Sequence, residues 1–253
     1  MCGGLGTRLK EETEFRPKPM VPIGNRPILW HIMKIYAHYG FNEFVLPLGY
    51  KGEMIKDYFQ HYELTNNDVT LELGKPENNI IHKNHDEIGW KITMVDTGQL
   101  SLKGSRLKQI EKYIDGDEFM VTYGDGVSDI DIKKLLDFHH GHGKMITITG
   151  VVLPSRFGKL SLKDDGTVSF IEKPKEDSIV SGGFMIFNKD IFKYLSVDNE
   201  CDLEYGALEN LAQKGEVKIY KYDGFWASMD NLRDMDYLNN LWNDGLAKWK
   251  VWQ

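Results

Sequence analysis

Apolar and polar residues alternate along the chain in a pattern that predicts the helices and strands of a layered α/β fold. A helix ending at Gly40 is indicated by apolar residues at three- and four-residue spacing, namely Ile28, Leu29, Ile32, Met33, Ile35 and Tyr36. Residues 44–48 form an apolar run typical of a buried strand, and a second helix is predicted around residues 54–59. Helix, strand and helix joined by short connections favour a sheet flanked by helices.

The pattern continues with buried strands at residues 91–95 and 119–122 and with a helix containing Leu107, Ile110 and Ile114. After Gly150 the chain changes to short strands separated by turn residues, which indicates a small antiparallel section appended to a mainly parallel sheet. The later elements are strands at 159–162, 167–172 and 183–187, a helix at 203–212, a strand at 217–222 and a helix at 232–242. Neither a repeat nor a linker interrupts the chain, so we expect a single domain over residues 1–253.

Residues 73–89 depart from this pattern because polar side chains and Pro76 dominate them. We expect a long loop or irregular excursion here. A loop of this length in a compact domain is usually functional or a contact surface. These residues are therefore a candidate contact between subunits.

The composition is that of an ordinary globular protein. The 253 residues are 41% hydrophobic and 27% charged, which allows a substantial core and excludes wholesale disorder. A net charge of -7 argues against sequence-independent binding of nucleic acid. Cys2 and Cys201 form no CxxC pair, which argues against a disulfide framework or a zinc site. With no apolar run of about 18 residues and no secretory signal, we expect a cytoplasmic protein with no membrane partner.

A glycine-rich loop and two basic residues open the chain, in the order Gly3-Gly4-Leu5-Gly6-Thr7-Arg8-Leu9 and then Arg16-Pro17-Lys18-Pro19-Met20. Glycine lets backbone amides approach phosphate oxygens and permits a positive φ. Arg8 offers a planar fork of donors and Lys18 a mobile point charge, and both suit a polyphosphate. A plain turn would explain the glycines taken alone. The loop lacks the GK[ST] ending of a Walker A motif and does not fit the GxGxxG fingerprint.

This opening resembles the signature GGxGTRL…KPKPM of the sugar nucleotidyltransferases, with Arg16 in place of the first lysine. The resemblance extends over essentially the whole chain. The family's metal-binding turn is similar to Tyr123-Gly124-Asp125-Gly126, and its sugar-phosphate pocket is similar to Glu172-Lys173-Pro174 and Ser181-Gly182-Gly183-Phe184. Residues 30–33, 90–98 and 224–230 resemble most the branch of the family that transfers cytidylyl groups.

The resemblance implies a Rossmann-like mixed sheet of the glycosyltransferase-A-like nucleotidyltransferase fold. Residues of about 1–150 would bind nucleotide, about 151–230 the sugar phosphate, and about 231–253 would form a C-terminal helix. It also implies CTP and a sugar 1-phosphate, glucose 1-phosphate in this branch, as partners, Mg²⁺ as cofactor, and a homo-oligomer. The products would be CDP-glucose and pyrophosphate.

The resemblance assigns roles to individual residues. Those implied to bind nucleotide are Gly3, Gly4, Gly6, Thr7, Arg8, Lys18, Gly104 and Asp125, and the catalytic ones among them are Arg8, Lys18 and Asp125. The sugar phosphate would be bound by Gly158, Glu172, Lys173 and Gly183. The implied metal ligands are Asp125 and Asp230.

The local sequence also suggests roles for Asp125 and Asp230 that do not depend on the resemblance. Asp125 follows a predicted strand, and ligands gather at the carboxyl ends of strands in open α/β sheets. Mg²⁺ takes one or two protein carboxylates and completes its octahedron with water and phosphate oxygens. On local sequence alone Asp230 is more typical of an N-cap, because Asp-Asn precedes a predicted helix. Asp129 and Asp131 are expected to cap or start the next helix.

Two further groups invite a functional interpretation, but packing explains them better. The histidines at 139, 140 and 142 are followed closely by glycine, which favours a helix terminus over a metal site. Trp242, Trp249 and Trp252 are expected to pack or to contact another subunit rather than to stack on a base.

The resemblance further implies a reaction that needs neither a general base nor a covalent nucleophile, because the attacking sugar phosphate is already anionic. Catalysis would depend on positioning and charge neutralisation. A related transferase using UTP, dTTP or GTP, or another phosphorylated acceptor, stays open. So does a non-catalytic regulatory subunit that binds nucleotide. A dinucleotide-dependent oxidoreductase is disfavoured, since the GxGxxG fingerprint is missing.

In the family that this chain resembles, an apolar strand of several residues precedes the glycine loop, whereas here Met1 and Cys2 precede Gly3. That strand would be buried in the middle of the sheet. Losing about five such side chains would forfeit on the order of 7 to 15 kcal/mol, which is comparable to the stability of a whole domain. We therefore expect the protein's own N-terminus to lie upstream of Met1.

Overall fold

The computed structural model describes residues 1–83, 85–154, 159–162, 167–171 and 175–252. Its α-helices are α1 (Lys10–Thr13), α2 (Ile28–His38), α3 (Gly52–Gln60), α4 (Tyr62–Thr65), α5 (Lys103–Ile110), α6 (Ile132–His142), α7 (Glu209–Gln213) and α8 (Leu232–Asn243). Short 3-10 helices span Thr7–Leu9, Lys18–Met20, Pro76–Asn78, Glu111–Tyr113 and Lys189–Tyr194, and a π-helix spans Leu203–Leu208.

The β-strands are β1 (Pro22–Ile23), β2 (Arg26–Pro27), β3 (Glu43–Leu48), β4 (Asp68–Thr70), β5 (Ile80–His82), β6 (Lys91–Asp96), β7 (Glu118–Val121), β8 (Gly126–Ser128), β9 (Ile146–Pro154), β10 (Lys159–Leu162), β11 (Val168–Ile171), β12 (Lys175–Ser181), β13 (Met185–Asn188), β14 (Val217–Tyr222) and β15 (Trp226–Ser228). The predicted helices and strands match these elements to within a few residues. One boundary differs, because α8 ends at Asn243. The described residues after it, 244–252, are not helical, so the helix expected over about 231–253 is shorter than predicted.

The largest sheet has the order β12-β9-β13-β7, and β14 pairs with β9 along its other edge. Within this sheet the β9–β14 pair is parallel and the other pairs are antiparallel. A second parallel pair joins β3 and β6. The mixed α/β fold is confirmed, and antiparallel pairing extends further into the central sheet than the sequence indicates.

Strand β9 was not predicted, because Gly150 in the middle of a strand is typical of an interruption. A Cβ on Gly150 would lie 2.6 Å from Cγ2 of Ile179 on β12 and 2.6 Å from Cγ2 of Ile219 on β14. Glycine at this position therefore allows the strands on both sides of β9 to approach closely.

An apolar cavity of about 330 Å³ lies between β3 and β7, which do not pair with each other. The first two residues join the ends of these strands. The amino group of Met1 donates to the carbonyl oxygen of Thr122 at 2.8 Å, and the Cys2 amide donates to that of Pro47 at 3.3 Å.

Aromatic side chains of the C-terminal segment pack around His31 of α2. Nε1 of the fully buried Trp249 donates to Nδ1 of His31 at 3.4 Å, and Nε2 of His31 donates to the carbonyl oxygen of Ile23 at 3.0 Å. The rings of Trp242 and Trp252 also contact the imidazole. The expected packing role of these tryptophans is confirmed.

The region expected as a loop, residues 73–89, contains the strand β5, which pairs antiparallel with β4 just before that region. Glu87 joins this excursion to the rest of the molecule, because its buried carboxylate lies 3.2 Å from Nζ of Lys34 on α2. Several apolar side chains of the excursion face solvent, namely Leu73, Ile80 and Ile88. The excursion is therefore attached at its base and exposed along its length.

Helix α6 begins and ends as the sequence predicts. Oδ1 of Asp131 accepts from the amides of Lys133 and Lys134, and Gly143 ends the helix with a φ of 61°. Asp129 does not cap this helix, which corrects the expectation. Its carboxylate instead accepts hydrogen bonds from the Phe225 amide at 2.8 Å and from the Tyr222 hydroxyl.

Two negative findings hold for the part of the chain that the structure describes. No group of three or more His, Cys, Asp or Glu side chains converges so as to hold a metal ion. None of the helices has both the length and the apolar character needed to cross a membrane.

Candidate active site

The glycine loop is held in one conformation by Gly6 and Thr13. Gly6 adopts the left-handed region with a φ of 64°, directly before the 3-10 helix Thr7–Leu9. The hydroxyl of Thr13 on α1 lies 3.1 Å from the carbonyl oxygen of Gly6 and 3.0 Å from that of Leu9. Gly4 and Thr7 are exposed, and the loop therefore presents its backbone to solvent at these positions.

Lys18 begins a 3-10 helix in which proline restricts the backbone on either side. Pro17 is extended, with a φ of -69° and a ψ of 149°, and Pro19 occupies the helix itself. The Lys18 ammonium reaches two carboxylates: Nζ lies 2.6 Å from Oδ2 of Asp125 and 2.7 Å from Oδ1 of Asp230. The side chain is 11% exposed, so these contacts lie largely out of solvent.

Pairing of β8 with β15 brings the two aspartates together across 105 residues of sequence. In this antiparallel ladder Gly126, the first residue of β8, pairs with Ser228, the last residue of β15. Asp125 precedes β8 and Asp230 follows β15, so both aspartates lie at the same end of the ladder. The Met229 amide donates to the carbonyl oxygen of Asp125 at 2.8 Å and fixes this register. The sheet therefore positions both carboxylates at one point.

Asp230 is not the N-cap of α8. Asn231 takes that position, and its side-chain oxygen accepts from the Asp234 amide at 3.1 Å. The alternative that the local sequence favoured is therefore excluded for Asp230. Its carboxylate instead faces Lys18 and Arg8.

The charges around Asp230 stabilise its ionised form. Burial alone would raise the pKa of this carboxyl, but the hydrogen bond from Lys18 and the charges of Lys18 and Arg8 outweigh burial and hold the pKa below its usual range. Nη2 of Arg8 lies 2.8 Å from Oδ1 of Asp230, while the Arg8 side chain is 71% exposed. Arg8 thus contacts the Lys18–Asp230 ion pair on the side that faces solvent, where its remaining N–H groups can bind an anion.

A cavity of about 530 Å³ opens beside these four charged groups. It is lined by the glycine loop, Lys18, Asp125, Tyr123 and residues 99–103 together with Arg106. The cavity between β3 and β7 is apolar by contrast, so the charged cavity is the candidate ligand site. It is lined by the loop, by the cations Arg8 and Lys18 for an anionic ligand and by the carboxylate of Asp125 for a metal, with Asp230 in contact with both cations.

Arg106, which lies on α5 and lines this cavity, was not predicted from the sequence. It is 4% exposed, and its guanidinium donates to the carbonyl oxygens of Gly3 and Leu48 and to the Thr97 hydroxyl. Arginine on a helix ordinarily indicates a solvent-exposed face. Its apolar-face position next to Leu107 and Ile110 is the signal that could have identified it.

Glu204, Tyr123 and Lys103 form a second polar group that the sequence did not indicate. The Tyr123 hydroxyl donates to Oε1 of Glu204 at 2.8 Å, and Nζ of Lys103 pairs with the same oxygen. Burial and the Glu204 carboxylate raise the pKa of Tyr123, so its hydroxyl stays protonated. These residues connect α5 and the π-helix at the edge of the cavity.

The remaining predicted residues divide into three sets. Gly183 lies beside Tyr123, since a Cβ on it would be 3.2 Å from Cδ2 of that ring. Gly104 is buried against Cys201, where a Cβ would lie 2.8 Å from the carbonyl oxygen, and it does not line the cavity. Gly158, Glu172 and Lys173 fall outside the described residues.

Comparison with known proteins decides the family. Residues 1–244 match the family described as nucleotidyl transferase. The chain belongs to the nucleotidyl transferase family. The glycine loop, Lys18 and Asp125 all lie within the matched region, so the resemblance seen in the sequence is confirmed.

Curated relatives of this nucleotidyltransferase match it along its full length. It is 46% identical over 256 residues to the glucose-1-phosphate cytidylyltransferase of Salmonella typhimurium, covering 100% of this chain and 98% of that protein. It is 42% identical over 260 residues to the probable glucose-1-phosphate cytidylyltransferase of Bacillus subtilis, with the same coverage.

Solved structures show the same fold. A putative glucose-1-phosphate thymidylyltransferase from Bacillus anthracis superposes with a TM-score of 0.68 at 18% identity, covering 96% of this chain and 93% of that one. A UDP-glucose pyrophosphorylase complexed with UDP-glucose gives 0.66 at 20% identity, covering 96% and 97%. The expected nucleotidyltransferase fold is therefore confirmed.

Proposed function

We propose that this enzyme transfers a cytidylyl group from CTP to α-D-glucose 1-phosphate, giving CDP-glucose and pyrophosphate. The observation that carries the proposal is the convergence of Lys18, Asp125 and Asp230 beside the glycine loop. Full-length identity of 42–46% to glucose-1-phosphate cytidylyltransferases supports the choice of base and sugar.

The triphosphate would lie on the glycine loop. Gly3, Gly4, Gly6 and Thr7 line the cavity, so their backbone amides would bind phosphate oxygens, and the exposed Arg8 guanidinium would offer paired donors to the β- and γ-phosphates. Lys18 lies deeper, where its ammonium would neutralise charge at the α-phosphate. Such stabilisation of charge that develops during transfer is often the largest contribution to catalysis.

Asp125 and Asp230 fit a divalent metal. Both present a carboxylate oxygen to the same cation position, and hard oxygen donors of this kind suit Mg²⁺, which commonly takes one or two carboxylates and completes its shell with phosphate oxygens. Enzymes of this family generally use a divalent metal, and we propose Mg²⁺ here. When bound, it would neutralise phosphate charge and hold nucleotide and sugar phosphate together.

The transfer itself is a displacement at the α-phosphorus. An oxygen of the sugar phosphate forms the new P–O bond, the bond to the β-phosphate oxygen breaks, and its electron pair leaves with pyrophosphate. The attacking oxygen is already anionic, so no residue has to remove a proton. The residues of the chain position the substrates and neutralise the charge of their phosphates. We propose that Glu172 binds sugar hydroxyls, that Lys173 binds the sugar phosphate, and that Gly158 and Gly183 shape this pocket.

We further propose that residues 1–253 act as one nucleotidyltransferase domain, in the cytoplasm where nucleoside triphosphates are made, and that the protein is a homo-oligomer. The excursion supports oligomerisation, since Leu73 is 93% exposed and Ile88 66% exposed. Light scattering on the protein and on a Leu73→Asp variant tests this. A monomeric unsubstituted protein would contradict it.

Pyrophosphate release measured separately with CTP, UTP, dTTP and GTP, each with glucose 1-phosphate and Mg²⁺, tests the function. We expect release with CTP and little with the others. Asp125→Asn is the control, because it keeps the side chain's shape and removes the charge that binds metal. Efficient release with another nucleotide, or release by Asp125→Asn at the normal rate, would contradict the proposal.

A further inference from the structure

The ammonium of Lys18 lies between the two carboxylates that we assign to the metal. Nζ is 2.6 Å from Oδ2 of Asp125 and 2.7 Å from Oδ1 of Asp230. A group that touches one oxygen from each carboxylate occupies the position of a shared cation. Lys18 therefore has a relationship to the metal site that is separate from its proposed contact with the α-phosphate.

We propose that Lys18 is an internal counter-ion that competes with the divalent metal for Asp125 and Asp230. It leaves the carboxylates for the nucleotide phosphates as the metal binds. The inference rests on the proposed function, because that function supplies both the metal and the nucleotide.

Geometry and charge both oppose simultaneous occupancy. Direct coordination places carboxylate oxygens about 2.1 Å from Mg²⁺, so an ammonium in contact with the same two oxygens must move. Repulsion between like charges is several-fold stronger in a partly buried site than in water. Here the side chains of Lys18 and Asp230 are 11% and 16% exposed, so solvent screens them weakly.

The Lys18 ammonium can move without moving the backbone. It stands on a flexible four-carbon stem, whereas Pro17 and Pro19 restrict the backbone at its base. The same side chain lines the cavity of about 530 Å³ beside the glycine loop. A turn about its own side-chain bonds would therefore carry the charge from the carboxylates toward a triphosphate.

The competition couples metal binding to nucleotide binding. In the free site, two positive side chains, Arg8 and Lys18, balance two negative ones, Asp125 and Asp230. A triphosphate that attracts Lys18 leaves the carboxylates with less positive charge, and their affinity for a divalent cation increases. Coupling of this kind is reciprocal, so the metal strengthens nucleotide binding by the same factor.

Titration with Mn²⁺ alone, in the absence of nucleotide, tests the competition. Free Mn²⁺ is measured by electron paramagnetic resonance for the unsubstituted protein and for Lys18→Met, which keeps the length of the side chain and removes its charge. We expect the Mn²⁺ dissociation constant of Lys18→Met to fall by at least about tenfold, because a unit charge in contact with both ligands is removed.

Lys103→Met is the matched control. Lys103 lines the same cavity, but it pairs with Glu204 and touches neither aspartate. Its loss removes an equal charge from the cavity, and we expect a change in Mn²⁺ affinity of less than about twofold, as for a charge exposed to solvent. Circular dichroism melting shows that each variant is folded, and Lys18→Gln replaces Lys18→Met if the latter does not fold.

An unchanged or weaker Mn²⁺ affinity in the Lys18 variant overturns the inference, and so does an equal gain in the Lys103 variant. Asp125→Asn in the Lys18→Met background should weaken binding again, which shows that the titrated site is the proposed one. If Asp125→Asn leaves Mn²⁺ binding unchanged, the inference is also overturned. The transferase activity is judged apart, by pyrophosphate release from the unsubstituted protein, so the two proposals fail separately.

Discussion

Nη2 of Arg106 donates a 2.9 Å hydrogen bond to the carbonyl oxygen of Gly3, at the start of the glycine loop. The same guanidinium donates to the carbonyl oxygen of Leu48 at 2.9 Å and to the Thr97 hydroxyl at 2.7 Å. One buried side chain on α5 thus ties the loop to the end of β3 and to the segment after β6. The position of the loop depends on a residue that lies 103 positions away.

Arg106→Met should lower the free energy of unfolding by about 2–3 kcal/mol, because several buried acceptors lose a charged donor. It should also raise the KM for CTP, since the loop loses its anchor at Gly3. Urea unfolding and steady-state kinetics measure the two effects. Arg106→Lys should recover little, because an ammonium cannot reproduce the planar fork.

Arg233→Met is the control for Arg106, since Arg233 is exposed on α8. It should leave the free energy of unfolding within about 0.5 kcal/mol of the unsubstituted value. A KM for CTP that is the same in Arg106→Met as in this control would contradict the anchoring role.

Gly6 and Gly4 should respond differently to alanine. Gly6 has a φ of 64°, and a Cβ on it would lie 2.7 Å from Cγ2 of Thr13 and 3.2 Å from Cβ of Lys18. Gly6→Ala should therefore cost roughly 1–2 kcal/mol of stability or more and should lower turnover by displacing Lys18. Chemical unfolding and pyrophosphate release measure these changes.

Gly4→Ala should leave stability unchanged, because no atom lies within 4 Å of the position its Cβ would take. If the loop backbone approaches the phosphates as proposed, Gly4→Ala should still raise the KM for CTP. Equal losses of stability in the two glycine variants would show that the left-handed turn at Gly6 is not a constraint.

The stability of the protein should fall as the pH falls from about 6.5 to about 4. Burial lowers the pKa of His31 to about 4, although its hydrogen bond to Ile23 opposes the shift. The unfolded chain then binds the proton with a pKa of about 6.5 and the folded chain does not, so protons favour unfolding in this window. The loss amounts to about 3 kcal/mol once the pH is below both values.

Urea unfolding at a series of pH values measures this dependence. His31→Gln is the comparison, because an amide does not titrate and can still donate to the Ile23 carbonyl. The slope of stability against pH should be flatter in His31→Gln between pH 4 and 6.5. Parallel slopes in the two proteins would contradict a neutral buried His31.

The apolar cavity between β3 and β7 should accept a strand attached ahead of Met1. An extension of five apolar residues should raise the free energy of unfolding by at least about 3 kcal/mol, since burial of each such side chain contributes about 1.5–3 kcal/mol. A five-residue Gly-Ser extension of the same length should have no such effect. Equal stabilities of the two extended proteins would contradict a strand-binding cavity.

Most of the fold follows from local patterns in the sequence. The spacing of apolar residues from Ile28 to Tyr36 gives α2, and Gly40 ends it in the left-handed region. The strand β9 was not predicted, because Gly150 has a tertiary cause: two neighbouring strands approach it from opposite sides. The local sequence around Gly150 does not indicate such an approach.

The residues of the candidate site likewise divide into those that sequence motifs predict and those whose role depends on tertiary contacts. Arg8, Lys18, Asp125 and Asp230 were predicted from motifs, and the structure brings all four together. The role of Asp230 needed the ladder between β8 and β15, which leaves capping to Asn231. Arg106 was missed because its acceptors come from three separate segments of the chain, and no spacing along the sequence reports that.

The central claim is that this chain makes CDP-glucose, and one competition experiment tests it most directly. The protein is incubated with equal concentrations of CTP, UTP, dTTP and GTP, together with glucose 1-phosphate and Mg²⁺, and the sugar nucleotides are identified by mass spectrometry. We expect CDP-glucose to be the main product, and Lys18→Ala to lower the initial rate of its formation by on the order of a hundredfold or more. Another sugar nucleotide as the main product, or none at all, would contradict it.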